Sequence, residues 1–212
     1  LKALQSQINA HFLYNTLDTI KWSAKIHQIP EIAVLAENLA VILRKSISSK
    51  PFIQLREELD TIESYIKIQK IRFAGRFLYE TEIPDMLEDC VIPKMILQPL
   101  VENSIVHGLP AGRGNIHISV KAVCGSGALA IRVLDDGIGI KPETMAALQS
   151  ALDGTLESGL QIGKNGIGIV NVHKRFQVRY GMEYGLTLQS EPGAYTEALL
   201  TMPFADDNLG GW

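Results

Sequence analysis

The chain has 212 residues, 46% hydrophobic and 20% charged, with a formal net charge of −3. A chain of this length can bury enough apolar surface to fold without a disulfide or metal staple, and it holds no basic run that would argue for direct binding of nucleic acid. Its two cysteines, Cys90 and Cys124, make no metal-ligand spacing and read as reduced packing residues.

No apolar run approaches the roughly 18 residues that cross a bilayer, and no signal peptide is present. The chain opens at Leu1 in mid-pattern, which reads as a fragment of a longer protein. Leu1, Leu4, Ile8 and Phe12 form one apolar stripe, and Leu13, Leu17, Ile20 and Ala24 a second. Two stripes on one helix predict packing on two sides, as in a bundle. Pro30 opens a second helix that runs to about residue 48, and Pro51 interrupts it. A third helical stretch spans 55–74.

From Arg76 the pattern changes. Residues 77–84 read as a strand and 93–109 as a helix with Pro in its first turn. Residues 115–124 and 128–134, rich in Ile and Val, read as a hairpin closed by Gly125-Ser126-Gly127. A short helix follows over 142–152, a Gly-rich loop over 153–168, a helix over 169–180, and strands over 186–190 and 196–202. The expectation is an α+β chain: a helical region, 1–75, followed by an α/β sandwich, 76–212.

Three segments of the second region point to one chemistry. In LQPLVENSIVHG, residues 97–108, Asn103 and His107 are four apart and share a helix face. An amide oxygen suits Mg²⁺, although an Asn in a buried helix can equally bond backbone. In LDDGIGI, residues 134–140, Asp135 can accept a hydrogen bond from an exocyclic amine. Gly137 and Gly139 let backbone approach a flat ring; an ordinary turn is the plainer reading. In GKNGIGIVNVHKRF, residues 163–176, Gly163, Gly166 and Gly168 precede a helix whose free N–H groups favour phosphate, and Lys164 adds charge.

In this order and spacing the three resemble the N box and the two glycine boxes of the GHKL ATP-binding fold. The resemblance implies that Asn103 holds Mg²⁺, that Asp135 binds the adenine amine and that Gly137 and Gly139 flank the base. It implies that Gly166 and Gly168 contact phosphates, that His107 and Lys164 also belong to the cofactor site, and that 153–165 is a lid. ATP-hydrolysing members carry a Glu four residues before the Asn. Here Pro99 stands there, and the nearest carboxylate, Glu102, is on another face. The Lys that often precedes the N-box His is Val106, a gap that Arg175 or Lys164 could fill.

QSQINAHFLYNTLDTI, residues 5–20, resembles the phosphoacceptor motif of the LytS/YesM-like sensor histidine kinases, as do the stretches 62–77 and 92–103. The family's Pro before the His is Ala10. The resemblance implies a dimerising helical hairpin with His11 as phosphoacceptor, ATP and Mg²⁺ as cofactors, and a response regulator as the next acceptor. Any DNA contact then belongs to the regulator. It also implies a cytoplasmic domain whose parent protein is anchored in the bacterial membrane through segments outside this chain. Glu102 is a candidate base. Asn15, one turn after His11, is a candidate for a phosphatase role or for a bond at the bundle seam. Two other functions compete: a catalytically inactive nucleotide-binding or dimerisation module, and a GHKL ATPase.

Overall fold

The structure is a computed structural model that describes residues 10–109, 115–155 and 166–204. The chain divides into two compact units. One holds residues up to Pro51 together with Leu59–Gly75. The other holds Phe52–Glu58 and everything from Arg76 on.

The first unit is helical. Helix α1 (Ala10–Ile26) and helix α2 (Pro30–Ile47) form a hairpin whose turn passes through Gln28 in the left-handed region, φ 57°. Small buried residues, Ala24, Ala33 and Ala36, let the two backbones approach near the turn. At the far end Arg44 of α2 stacks on the ring of Tyr14 of α1, 5.4 Å from its centroid, which makes the pair antiparallel. Helix α3 (Leu55–Arg72) contributes its later turns here, with Ile62 and Ile66 buried and Asp60 paired to Lys45 at 3.2 Å.

The second unit is two-layered. Strands β2 (Phe77–Glu82), β4 (Ile116–Gly125), β5 (Ala128–Asp135), β6 (Gly185–Glu191) and β7 (Tyr195–Pro203) form one sheet in the order β2-β4-β5-β7-β6. Only the β2–β4 pair is parallel. Strand β5 is central, and its residues alternate between buried and more exposed, the period of a sheet with one covered face. Helices α5 (Gln98–Gly108), α6 (Pro142–Leu152) and α7 (Gly166–Tyr180) pack on the sheet and on one another. Ile118, Val120, Ile131, Leu200, Val101, Ile105 and Phe176 are buried in the core. Exposed cross-strand ion pairs, Lys121 with Glu82 and Arg132 with Glu197, mark the sheet elsewhere.

Three short elements escape the sequence pattern. Strand β1 (Phe52–Gln54) pairs antiparallel with strand β3 (Val91–Pro93), and helix α4 (Asp85–Glu88) lies between β2 and β3. The expected division at 75/76 put residues 52–58 with the helical region. They group instead with the second unit, because β1 finds its partner there, Leu55 N–H donates to the Cys90 carbonyl at 2.8 Å and Arg56 meets Asp89 at 2.6 Å. The helix expected from residue 93 starts at Gln98. Pro93 ends a strand, and Met95 sits at φ 58°, a backbone state no α-helix admits.

Candidate active site

Helix α5 turns one face toward a cavity of about 370 Å³ in the second unit. Leu100, Asn103, Ser104, His107 and Gly108 line it, positions three and four apart along one stripe. Proline at the second helical position suits the start of α5, since it has no N–H to leave unpaired. The Asn103 amide nitrogen donates to the Pro99 carbonyl one turn back, at 2.8 Å. That bond uses the amide nitrogen and leaves Oδ1 as the atom that could hold a cation.

Asp135 ends the central strand, opposite Ile118 of β4 and Thr196 of β7. Its side chain is buried and faces the cavity. One carboxylate oxygen accepts the Gly137 N–H at 3.1 Å, and the Ser104 hydroxyl donates to the same group. Burial pushes the Asp135 pKa above its ordinary value. Those two donors oppose the shift, and the charge of Asp136 adds to it. Val133, Ile138, Ile140, Leu148, Leu188 and Ala198 supply apolar walls. A flat heteroaromatic ring with an exocyclic donor fits this combination of apolar walls and one buried acceptor.

The glycines of the 136–141 loop are required by the protein itself. A Cβ on Gly137 would stand 2.5 Å from the Gly108 Cα and 2.7 Å from the Asp135 carboxylate. Gly139 has φ 68°, and a Cβ there would overlap the Glu191 carbonyl. The β6–β7 turn holds this loop closely: Gly193 N–H donates to the Ile138 carbonyl at 2.6 Å, and Ile140 N–H donates to the Ser190 hydroxyl at 2.8 Å. Gly139 lines the cavity, whereas Gly137 serves the packing of the loop against α5.

Gly166, the first residue of α7, also lines the cavity and places a helix N-terminus there. A Cβ built on Gly168 would meet the Pro99 side chain at 3.6 Å, an ordinary contact distance. Lys164 and most of the expected lid, residues 156–165, lie outside the described residues. Glu102 is not on the cavity wall, and its Oε1 accepts the Gln98 side-chain amide at 2.8 Å. Arg175, considered for the phosphate role left open by Val106, donates to the Lys94 carbonyl at 2.9 Å. His173 is structural: its Nδ1 accepts the Leu186 N–H at 3.0 Å.

His11 is exposed on the first turns of α1, in the other unit. The Asn15 amide nitrogen lies 3.3 Å from its Nδ1 and 3.4 Å from its Nε2. Sequence reasoning missed Ser104 and Thr196. Ser104 was findable from its spacing, four residues after Leu100 and three before His107 on one helix face. Thr196 reaches Asp135 only through strand register, which no local pattern announces.

The histidine kinase family profile matches residues 1–77, and the profile for histidine kinase-, DNA gyrase B- and HSP90-like ATPases matches residues 89–206. The sensor histidine kinase YesM of Bacillus subtilis is 38% identical over 96% of this chain and 33% of its own length. The sensor histidine kinase YpdA of Escherichia coli is 37% identical over 96% of this chain and 34% of its own length. The chain thus spans about a third of the curated relatives it matches. Among solved structures, the histidine kinase domain of the Erythrobacter litoralis EL346 blue-light activated kinase aligns with TM-score 0.54 at 13% identity, over 94% of this chain and 96% of that one. The catalytic domain of histidine kinase ThkA aligns with TM-score 0.51 at 15% identity, over 74% and 97%. The chain therefore belongs to the histidine kinase-, DNA gyrase B- and HSP90-like ATPases, with a histidine kinase region ahead of that domain, and is homologous over most of its length to the YesM and LytS sensor histidine kinases.

Proposed function

We propose that the chain binds ATP with Mg²⁺ in the cavity of the second unit and transfers the γ-phosphoryl group to a ring nitrogen of His11. The observation that carries the reading is the buried Asp135 carboxylate at the end of the central strand, across one cavity from the Asn103 amide. Asp135 takes the adenine amine, Asn103 offers Oδ1 to Mg²⁺, and the start of α7 at Gly166 favours phosphate. One protein oxygen suffices for Mg²⁺, which fills its shell from phosphate and water. In the transfer an N–P bond forms on the imidazole, the bond to the ADP leaving oxygen breaks, and the ring gives up its proton. For a base the reading offers Glu102, whose Oε1 is already held by Gln98. Positioning and charge neutralisation supply most of the catalysis.

The phosphoryl group would then pass to an Asp on the receiver domain of a response regulator, and Asn15 would hold a water that attacks this phospho-Asp, releasing inorganic phosphate. The helical hairpin would pair with a second copy. Phe12, Trp22, Ile32 and Leu39 are exposed on it, and burying such side chains favours association. No helix among the described residues is long and apolar enough to cross a membrane, so any membrane anchor of the longer protein would lie outside them.

ATP labelled at the α- or the γ-phosphate separates this function from its competitors. The kinase reading expects label on the protein from γ-labelled ATP only. Release of free phosphate with no labelled protein would indicate an ATPase, and neither product would indicate a binding module. Pro99, where an ATPase carries its water-activating Glu, argues for the first outcome.

A further inference from the structure

Helix α5 begins without a side-chain cap of its own: its N-cap residue, Leu97, makes no such bond. The donors at a helix start still need partners. They find them about 40 residues back in the sequence. Glu58, in the first turn of α3 and within the second unit, is only 2% exposed. Its Oε2 accepts the Met95 N–H at 2.8 Å, and its Oε1 accepts those of Ile96 at 2.9 Å, Leu97 at 3.1 Å and Gln98 at 3.4 Å. Pro99 has no N–H, and Leu100 N–H bonds the Leu97 carbonyl at 3.0 Å. Glu58 thus takes the N-cap and first helical donors of α5 together with two from the loop before it, and the Leu97 carbonyl takes those of Leu100 and Val101.

The clamp also bears on Asn103. The Asn103 amide is oriented by the Pro99 carbonyl, which belongs to the turn that Glu58 secures. The preceding loop needs restraint, since Met95 holds φ 58°, unfavourable for a residue with a Cβ. Arg175 binds the same loop at the Lys94 carbonyl but neutralises no donor at the helix start. We propose that Glu58 is a positioning residue for the nucleotide site, fixing the first turn of α5 so that the Asn103 Oδ1 is held where it would meet Mg²⁺.

This inference rests on the nucleotide reading above. Glu58→Gln keeps the shape of the side chain. It removes the charge and turns an NH₂ group toward either the Met95 N–H or the three donors on Oε1. ATP affinity is measured by calorimetry with and without Mg²⁺, and amide exchange is followed in the nucleotide-free protein. E58Q should keep its Mg²⁺-free affinity within about twofold while the Mg²⁺-dependent gain shrinks about tenfold or more, the loss expected for a displaced charge-assisted contact. Exchange should quicken at residues 96–103 and stay unchanged in β5 and β7. Equal loss of both affinities would make Glu58 a general stability residue and overturn the proposal, as would an unchanged Mg²⁺ gain. A parent protein that binds no nucleotide would overturn the functional reading and this proposal together. Should E58Q fail to fold by circular dichroism, Glu58→Asp, which keeps the charge and shortens the reach, is judged by the same ratio.

Discussion

At Asp135, burial and hydrogen bonding act in opposite directions. Loss of water disfavours the carboxylate, while the Ser104 hydroxyl and the Gly137 N–H favour it, and burial prevails. With the folded-state pKa raised, this group stabilises the nucleotide-free protein most at acid pH and loses that contribution as pH climbs through the raised value. Adenine asks for the opposite form, because its exocyclic amine donates best to a carboxylate. ATP affinity is therefore expected to fall on acidification, starting at a higher pH than an ordinary Asp would give. Asp135→Asn should bind ATP about ten- to a hundredfold more weakly at neutral pH, as for a lost charge-assisted bond, and should flatten that part of the pH profile. Calorimetry across pH decides. Equal affinity in a folded variant would show that Asp135 does not read the base.

At the scale of the element, the 136–141 loop is the part most tightly specified by its neighbours. Gly139→Ala adds a Cβ at φ 68° that meets the Glu191 carbonyl, so the loop must part from the β6–β7 turn. The expected cost is at least about 2 kcal/mol, read as a lower thermal midpoint in the absence of nucleotide. A midpoint unchanged within error would mean that the turn yields freely.

The same scale shows where local signals reach. The β4–β5 hairpin was legible because Gly125-Ser126-Gly127 supplies the two left-handed residues of its turn, Ser126 at φ 52° and Gly127 at φ 74°. Helix α6 was legible from Pro142, and the structure starts it there. Strands β1 and β3 were not, being three residues each and paired across about 40 positions. The start of α5 was misread for a related reason: it is set by Glu58, whose carboxylate acts at a distance no window spans. At the site, Asn103, His107, Asp135, Gly139 and Gly166 do share one cavity. Sequence signals located them because each belongs to a short motif. They could not tell that Gly137 packs closely against Gly108, which depends on how α5 meets the loop.

For the whole molecule, the proposed acceptor and the proposed nucleotide cavity lie in different compact units. His11 is exposed on α1, while Asp135 is buried beneath the cavity in the sheet domain. The central claim is that these two parts serve one reaction, and the direct measurement is the site of the label. After incubation with Mg²⁺ and γ-labelled ATP, the protein should carry acid-labile, base-stable label on His11. His11→Gln should lose that label completely while binding ATP within about twofold of the parent, since the substitution lies outside the unit that holds the cavity. Label that persists in the folded variant would contradict the account.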